Sequence, residues 1–149
     1  MFERFTEKAI NVVSASQDVA KEAGARMVGP EYLLLALFDE AKGIPLKLFK
    51  SYDITREKLL AEIDKYQHFT SFQQSGNLPF DDEYKEILKK ALDLANKSGN
   101  PTILYEHLFL SVLSDKKSNN VKILEDLDFD IYKSKTLLEK LVQKKTKRL

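Results

Sequence analysis

The chain has no cysteine, and among its 149 residues there are only two histidines, five glycines and four prolines. The absence of cysteine excludes disulfides, thiolate metal sites and a cysteine nucleophile, and fits a reducing compartment. The glycines never fall into the order of a phosphate-binding loop, whose backbone amides wrap a nucleotide. No G-x-S-x-G elbow presents a serine nucleophile. His68 lies in a polar stretch and His107 in an apolar one, neither with a second histidine nearby, so neither a metal nor a cofactor is expected. Long apolar runs are missing too: Tyr32 to Phe38 falls far short of the roughly 20 residues that span a bilayer. The opening MFERFTEKAI is charged from residue 3 and does not read as a secretory signal.

Nor is there an excess of either charge. With 24 basic and 23 acidic residues the net charge is +1, so no footprint for nucleic acid or an anionic membrane is visible. The exception is KKTKRL at the end, from which residues 145–149 are read as a solvated basic tail. The many carboxylates fall on amphipathic segments beside lysines and read as solvated helix faces, not as an acid and base pair. No enzyme activity is expected.

What is present is helical periodicity. Ala9, Val12, Val13, Ala20 and Ala23 recur at helical spacing and stop at Gly24, predicting a helix over about residues 6–23 with a left-handed end. Pro30 is preorganised for the first turn of a second, very apolar helix. Ile44, Leu46 and Phe49 suggest a third, and Ile54, Leu59, Leu60 and Ile63 a fourth. The stretch HFTSFQQSGN, residues 68–77, is polar and aperiodic, as expected of a linker.

Beyond it the same pattern returns. One gapless offset sets Phe5 on Phe80, Asp18 on Asp93, Ala20 on Ala95, Gly24 on Gly99, Glu31 on Glu106 and Asp53 on Asp128, with matching apolar positions between. The expected fold is therefore all-α: eight helices as two tandem four-helix repeats, residues 1–67 and 78–144, packed on each other as one monomeric domain.

Two pairs then stand out. Phe5 and Phe80 precede the first helix of each repeat, where an aromatic often staples the helix start; Glu31 and Glu106 open the second, where the helix dipole favours a carboxylate by about 0.3–1 kcal/mol. Read as surface groups, the two glutamates could be changed to alanine at a cost of about 0.5 kcal/mol.

MFERFTEKAI, the helix end AKEAG and the run GPEYLLLAL resemble the amino-terminal domain of Clp ATPases of the Hsp100 class, the ClpC type, with YEHLFLSVL echoing the motif in the second repeat. This resemblance implies a non-catalytic module that binds adaptor proteins or unfolded clients for an ATP-driven Clp ring and its peptidase, in the cytoplasm or the plastid stroma. A chain of this length with no ATPase module reads as an excised domain or as a free-standing accessory subunit of that system. Carried over by position, docking falls to Phe2, Phe5, Thr6, Glu31, Phe80, Asp81 and Glu106, with Thr6 beside Glu31 and Asp81 beside Glu106. In some relatives such pairs bind phosphorylated arginine. Asp81 stands where the family often has threonine and would repel a phosphate, and Pro30 and Tyr105 replace the threonine of GTEH expected to cap the second helix.

Overall fold

A computed structural model describes residues 2–66 and 76–148. Among the described residues eight helices follow in order: α1 (Glu7–Glu22), α2 (Pro30–Glu40), α3 (Ile44–Ser51), α4 (Arg56–Ile63), α5 (Asp82–Lys97), α6 (Tyr105–Ser114), α7 (Asn119–Asp126) and α8 (Ile131–Arg148). The fold is all-α and made of two tandem four-helix repeats. Of the expected linker 68–77, residues 68–75 lie outside the described residues, as does His68. The helical backbone of α8 continues through Arg148, so the basic stretch from residue 145 extends a helix.

The repeats keep the same punctuation with different residues. Thr6 caps α1 by accepting from the Ala9 amide, and Asp81 caps α5 by accepting from the Tyr84 amide. Thr55 and Asp130 do the same for α4 and α8. A hydroxyl and a carboxylate serve equally as N-caps, because each offers an oxygen to an amide that the helix leaves unbonded. At the other ends, Gly24 (φ 76°) and Gly99 (φ 72°) turn left-handed after α1 and α5. Asp53 (φ 57°) and Asp128 (φ 61°) do so after α3 and α7. In each case the next amide reaches back to close the helix end: Ala25 to Ala20, Ile54 to Phe49, Asn100 to Ala95 and Phe129 to Leu124.

α2 and α6 are apolar nearly all round, as befits helices surrounded by protein. Every residue from Pro30 to Leu37 and from Tyr105 to Leu113 is buried. α1 folds back on α2 and α5 on α6, while α2 and α6 also meet each other. Four phenylalanines bind the repeats together: Phe49 of α3 stacks on Phe109 of α6 at 5.1 Å, and Phe38 and Phe129 complete the group. On the surface, Arg56 of α4 grips Asp39 of α2 with two nitrogens, at 3.0 and 3.2 Å.

Two polar side chains in this core have opposite energetic signs. Ser16 gives its single proton to the Val13 carbonyl, so the fully buried Tyr84 hydroxyl donates to Ser16 Oγ across 2.7 Å. Ser134 is fully buried and its hydroxyl has no partner among the described residues; its counterpart in the first repeat is Leu59. Tyr84→Phe is expected to cost about 1 kcal/mol, whereas Ser134→Ala should leave stability unchanged or raise it. Thermal unfolding of the two variants checks both signs, a change of 1 kcal/mol moving Tm by about 2–4 °C at this size.

Candidate functional site

The short segments that lead into the helices decide how the site is built. Phe5 pairs with Ile103, and Val28 with Phe80, each as an isolated parallel bridge. The Thr6 amide donates to Ile103 O (3.1 Å) and the Ile103 amide to Arg4 O (2.8 Å). Likewise the Val28 amide donates to Pro79 O (2.8 Å) and the Asp81 amide to Val28 O (3.1 Å). The segment before the first helix of one repeat is thus laced to the segment before the second helix of the other.

This lacing corrects the pairing expected from the family pattern. Thr6 does not sit beside Glu31, nor Asp81 beside Glu106. Val28, just ahead of α2, lies against Pro79 and Phe80, and the adjoining Leu78 is bound by Gln17 in the second half of α1, so α2 and Glu31 begin away from the Thr6 end of that helix. Thr6 lies instead next to Ile103, at the entry to α6 and Glu106, and Asp81 lies next to Val28, at the entry to α2 and Glu31. Each candidate site therefore draws on both repeats.

Thr6 and Asp81 hold the equivalent positions in the two sites, and each side chain is already engaged as a helix cap. Pro30 and Tyr105 prove to be the first residues inside α2 and α6, not their caps. The cap positions are Gly29 and Leu104, whose side chains contribute nothing. At α6 the cap backbone is served from inside the helix: Nδ1 of the fully buried His107 accepts from the Leu104 amide at 2.9 Å. A nitrogen that accepts carries no proton, so the other ring nitrogen holds it, 3.4 Å from Ser98 Oγ. His107 is thereby committed to the helix start. The Tyr105 hydroxyl donates to Lys42 O, tying α6 to the turn before α3.

Glu31 and Glu106 are not surface carboxylates: they are 1% and 3% exposed. Asn119, at the start of α7, donates to Glu31 Oε1 at 3.1 Å, and the neighbouring Asn120 donates to Pro30 O. Glu31 thus lies where the starts of α2 and α7 converge. Partial desolvation, reinforced by Asp81, Glu31 and Asp115, raises the Glu83 carboxyl above its ordinary range, so these carboxylates act on one another.

Phe2, Phe5 and Phe80 do come together. The Phe2 ring meets Phe5 edge-on at 5.1 Å and Phe80 at 6.3 Å, and Phe80 stacks on Tyr84 at 4.5 Å. Phe5 is 9% exposed and lies in the core, while Phe2 and Phe80 are half-buried and keep an accessible face. Beside Phe5 opens a groove of ≈ 660 Å³ floored by Phe5, Leu88, Leu92 and Ile103. A second groove of ≈ 480 Å³ lies on the other flank of α5, against α6. No group of three potential metal ligands occurs among the described residues.

Sequence reasoning missed the residues that hold the seam. Arg4 reaches Pro101 O, Asn96 Oδ1 and Asn100 O through its three guanidinium nitrogens. Gln17 binds the Leu78 backbone at both amide atoms, at 2.7 and 2.9 Å. The repeat could not flag them, because the equivalent positions hold Pro79 and Leu92.

Known proteins are similar to this chain in sequence and in fold. A ClpA homolog of Guillardia theta, named as an ATP-dependent Clp protease ATP-binding subunit, is 34% identical over 142 residues, covering 95% of this chain and 17% of that relative. The chloroplastic chaperone protein ClpC1 of Oryza sativa subsp. japonica is 34% identical over 146 residues, covering 98% of this chain and 16% of its own length. The chain thus spans about a sixth of these relatives. The solved N-terminal domain of ClpD from Arabidopsis thaliana superposes with a TM-score of 0.79 at 23% identity, covering 96% of this chain and 97% of that one. A ClpV N-domain solved in complex with a VipB peptide superposes with a TM-score of 0.68 at 14% identity, covering 92% and 88%. The family described as Clp repeat (R) N-terminal domain matches twice, over residues 4–78 and 79–149, and the chain belongs to that family.

Proposed function

We propose that the chain is the substrate- and adaptor-docking module of an ATP-dependent Clp chaperone and protease system, working in the cytoplasm or the plastid stroma and selecting clients without catalysis of its own. The observation that carries this reading is the composite seam. Segments from both repeats meet there, leaving the half-buried Phe2 and Phe80 and two grooves along α5 open to a partner chain. Half-buried aromatics, Phe2 here packing on Phe5 at the floor of the first groove, are the anchors that peptide-binding surfaces use. The solved ClpV N-domain with its VipB peptide supports the same use of this fold. The seam residues Thr6, Glu31, Asp81 and Glu106 maintain the surface by holding the helix starts that frame it, and Phe2 and Phe80 contact the client.

An unfolded client distinguishes docking from a purely structural role. Reduced and carboxyamidomethylated ribonuclease A is expected to bind the chain in fluorescence anisotropy while native ribonuclease A does not. Phe2→Ala combined with Phe80→Ala should weaken that binding about tenfold, the effect of removing one aromatic anchor or more. Equal affinity for the folded and unfolded forms, or none for either, overturns the reading.

The buried glutamates answer to a different measurement. Glu31→Ala strands the Asn119 amide and is expected to lower unfolding stability by about 1–3 kcal/mol. A melting curve superimposable on the parent's would mean that Glu31 contributes nothing to the fold.

A further inference from the structure

The groove between α5 and α6 differs in chemistry from the rest of the seam. Its floor is apolar, made by Pro30, Ile87 and Val112. Around that floor stand Asp82, Glu83, Glu86 and Asp115, all exposed, against the single cation Lys90. Glu86 has a partner in Lys89, but no ion pair is formed by Asp82, Glu83 or Asp115 among the described residues. Glu83 also feels Asp81 and the buried Glu31, which add to the negative potential of this region.

Helix geometry does not require this crowding. A first-turn carboxylate is favoured by the helix dipole, and α1 has one in Glu7. The positions in the first repeat that correspond to Asp81, Glu83 and Glu86 nevertheless hold Thr6, Lys8 and Asn11. The first repeat keeps Glu7 and Glu40 where this groove has Asp82 and Asp115, so the excess of negative charge comes from Asp81, Glu83 and Glu86. Of the serines within it, Ser111 donates to Ile87 O and Ser114 to Leu110 O, while Ser118 caps α7 by accepting from the Val121 amide.

We propose that the α5–α6 groove docks a basic client segment, an extended stretch of polypeptide in which lysine or arginine alternates with an aliphatic residue. The aliphatic side chains lie on Ile87 and Val112, and the cations meet Glu83 and Asp115 at the rim. The corresponding positions of the first repeat, with Lys8 in place of Glu83, do not select for positive charge. This inference rests on the docking reading above and assigns one of its surfaces a client chemistry. Complementary charge at an accessible rim acts mainly on encounter and on discrimination between partners, which is what a selector needs.

The test uses a fluorescein-labelled peptide of alternating lysine and valine, with a glutamate-and-valine peptide of equal length as its counterpart. The lysine peptide should bind the intact chain, with affinity falling steeply between about 50 and about 500 mM salt, as the screening length shrinks. Glu83→Gln combined with Asp115→Asn should weaken it about tenfold or more. Glu7→Gln combined with Glu40→Gln removes the same charge from the first repeat and should leave affinity within about twofold. Equal binding of the glutamate peptide overturns the proposal, as does an equal loss in the two double variants. If neither peptide binds while unfolded ribonuclease A still does, the groove assignment falls and docking stands. If unfolded ribonuclease A also fails, the docking reading falls with it.

Discussion

Four backbone hydrogen bonds at the seam are the constraint on which the rest of the molecule depends. The amides of Thr6, Val28, Asp81 and Ile103 each bond to a carbonyl of the opposite repeat. A buried amide that lacks a partner is costly, so these segments must either face water or find one another. Finding one another closes the domain. With the entry to each first helix fixed against the entry to the other repeat's second helix, α2 and α6 are held at the centre, and their largely apolar surfaces are buried from Pro30 to Leu37 and from Tyr105 to Leu113.

The polar groups around the seam follow from the same constraint. Arg4 spans to the turn between α5 and α6, and Gln17 clasps the chain where the second repeat begins, so the link between the repeats does not rest on apolar contact alone. Glu31 is buried where two helix starts converge, a place where positive helix ends and the Asn119 amide compensate for lost water. The region is hydrogen-bonded at its base and charged at its rim.

Much of the fold was legible because duplication makes periodicity redundant. Gly24 with Gly99, and Asp53 with Asp128, mark the same left-handed turns twice, and the apolar positions between them recur in step. Hairpins within each repeat follow from such local signals. The site was less legible, because it is made between repeats. Nothing in the spacing of Thr6, Glu31, Asp81 and Glu106 says that segments pair crosswise, and a motif carried over repeat by repeat pairs them wrongly. The burial of Glu31 escaped notice for a related reason: its partner, Asn119, has Ile44 as its counterpart, so no repeated polar pair announces it. The acidity of the α5 groove was on the page as Asp81, Asp82, Glu83 and Glu86, but helix composition alone accounts for acids at a helix start until the first repeat is set beside it.

The exchange of threonine for aspartate at the two caps shows how such a domain can diversify. To the helix, Thr6 and Asp81 are interchangeable, since either oxygen completes the first turn. To anything approaching from outside, they differ by a full charge. Positions that the fold reads as equivalent and a ligand reads as distinct are free to drift without endangering the scaffold. A duplicated domain has two copies of each, so one copy can change its clientele while the other retains the old one.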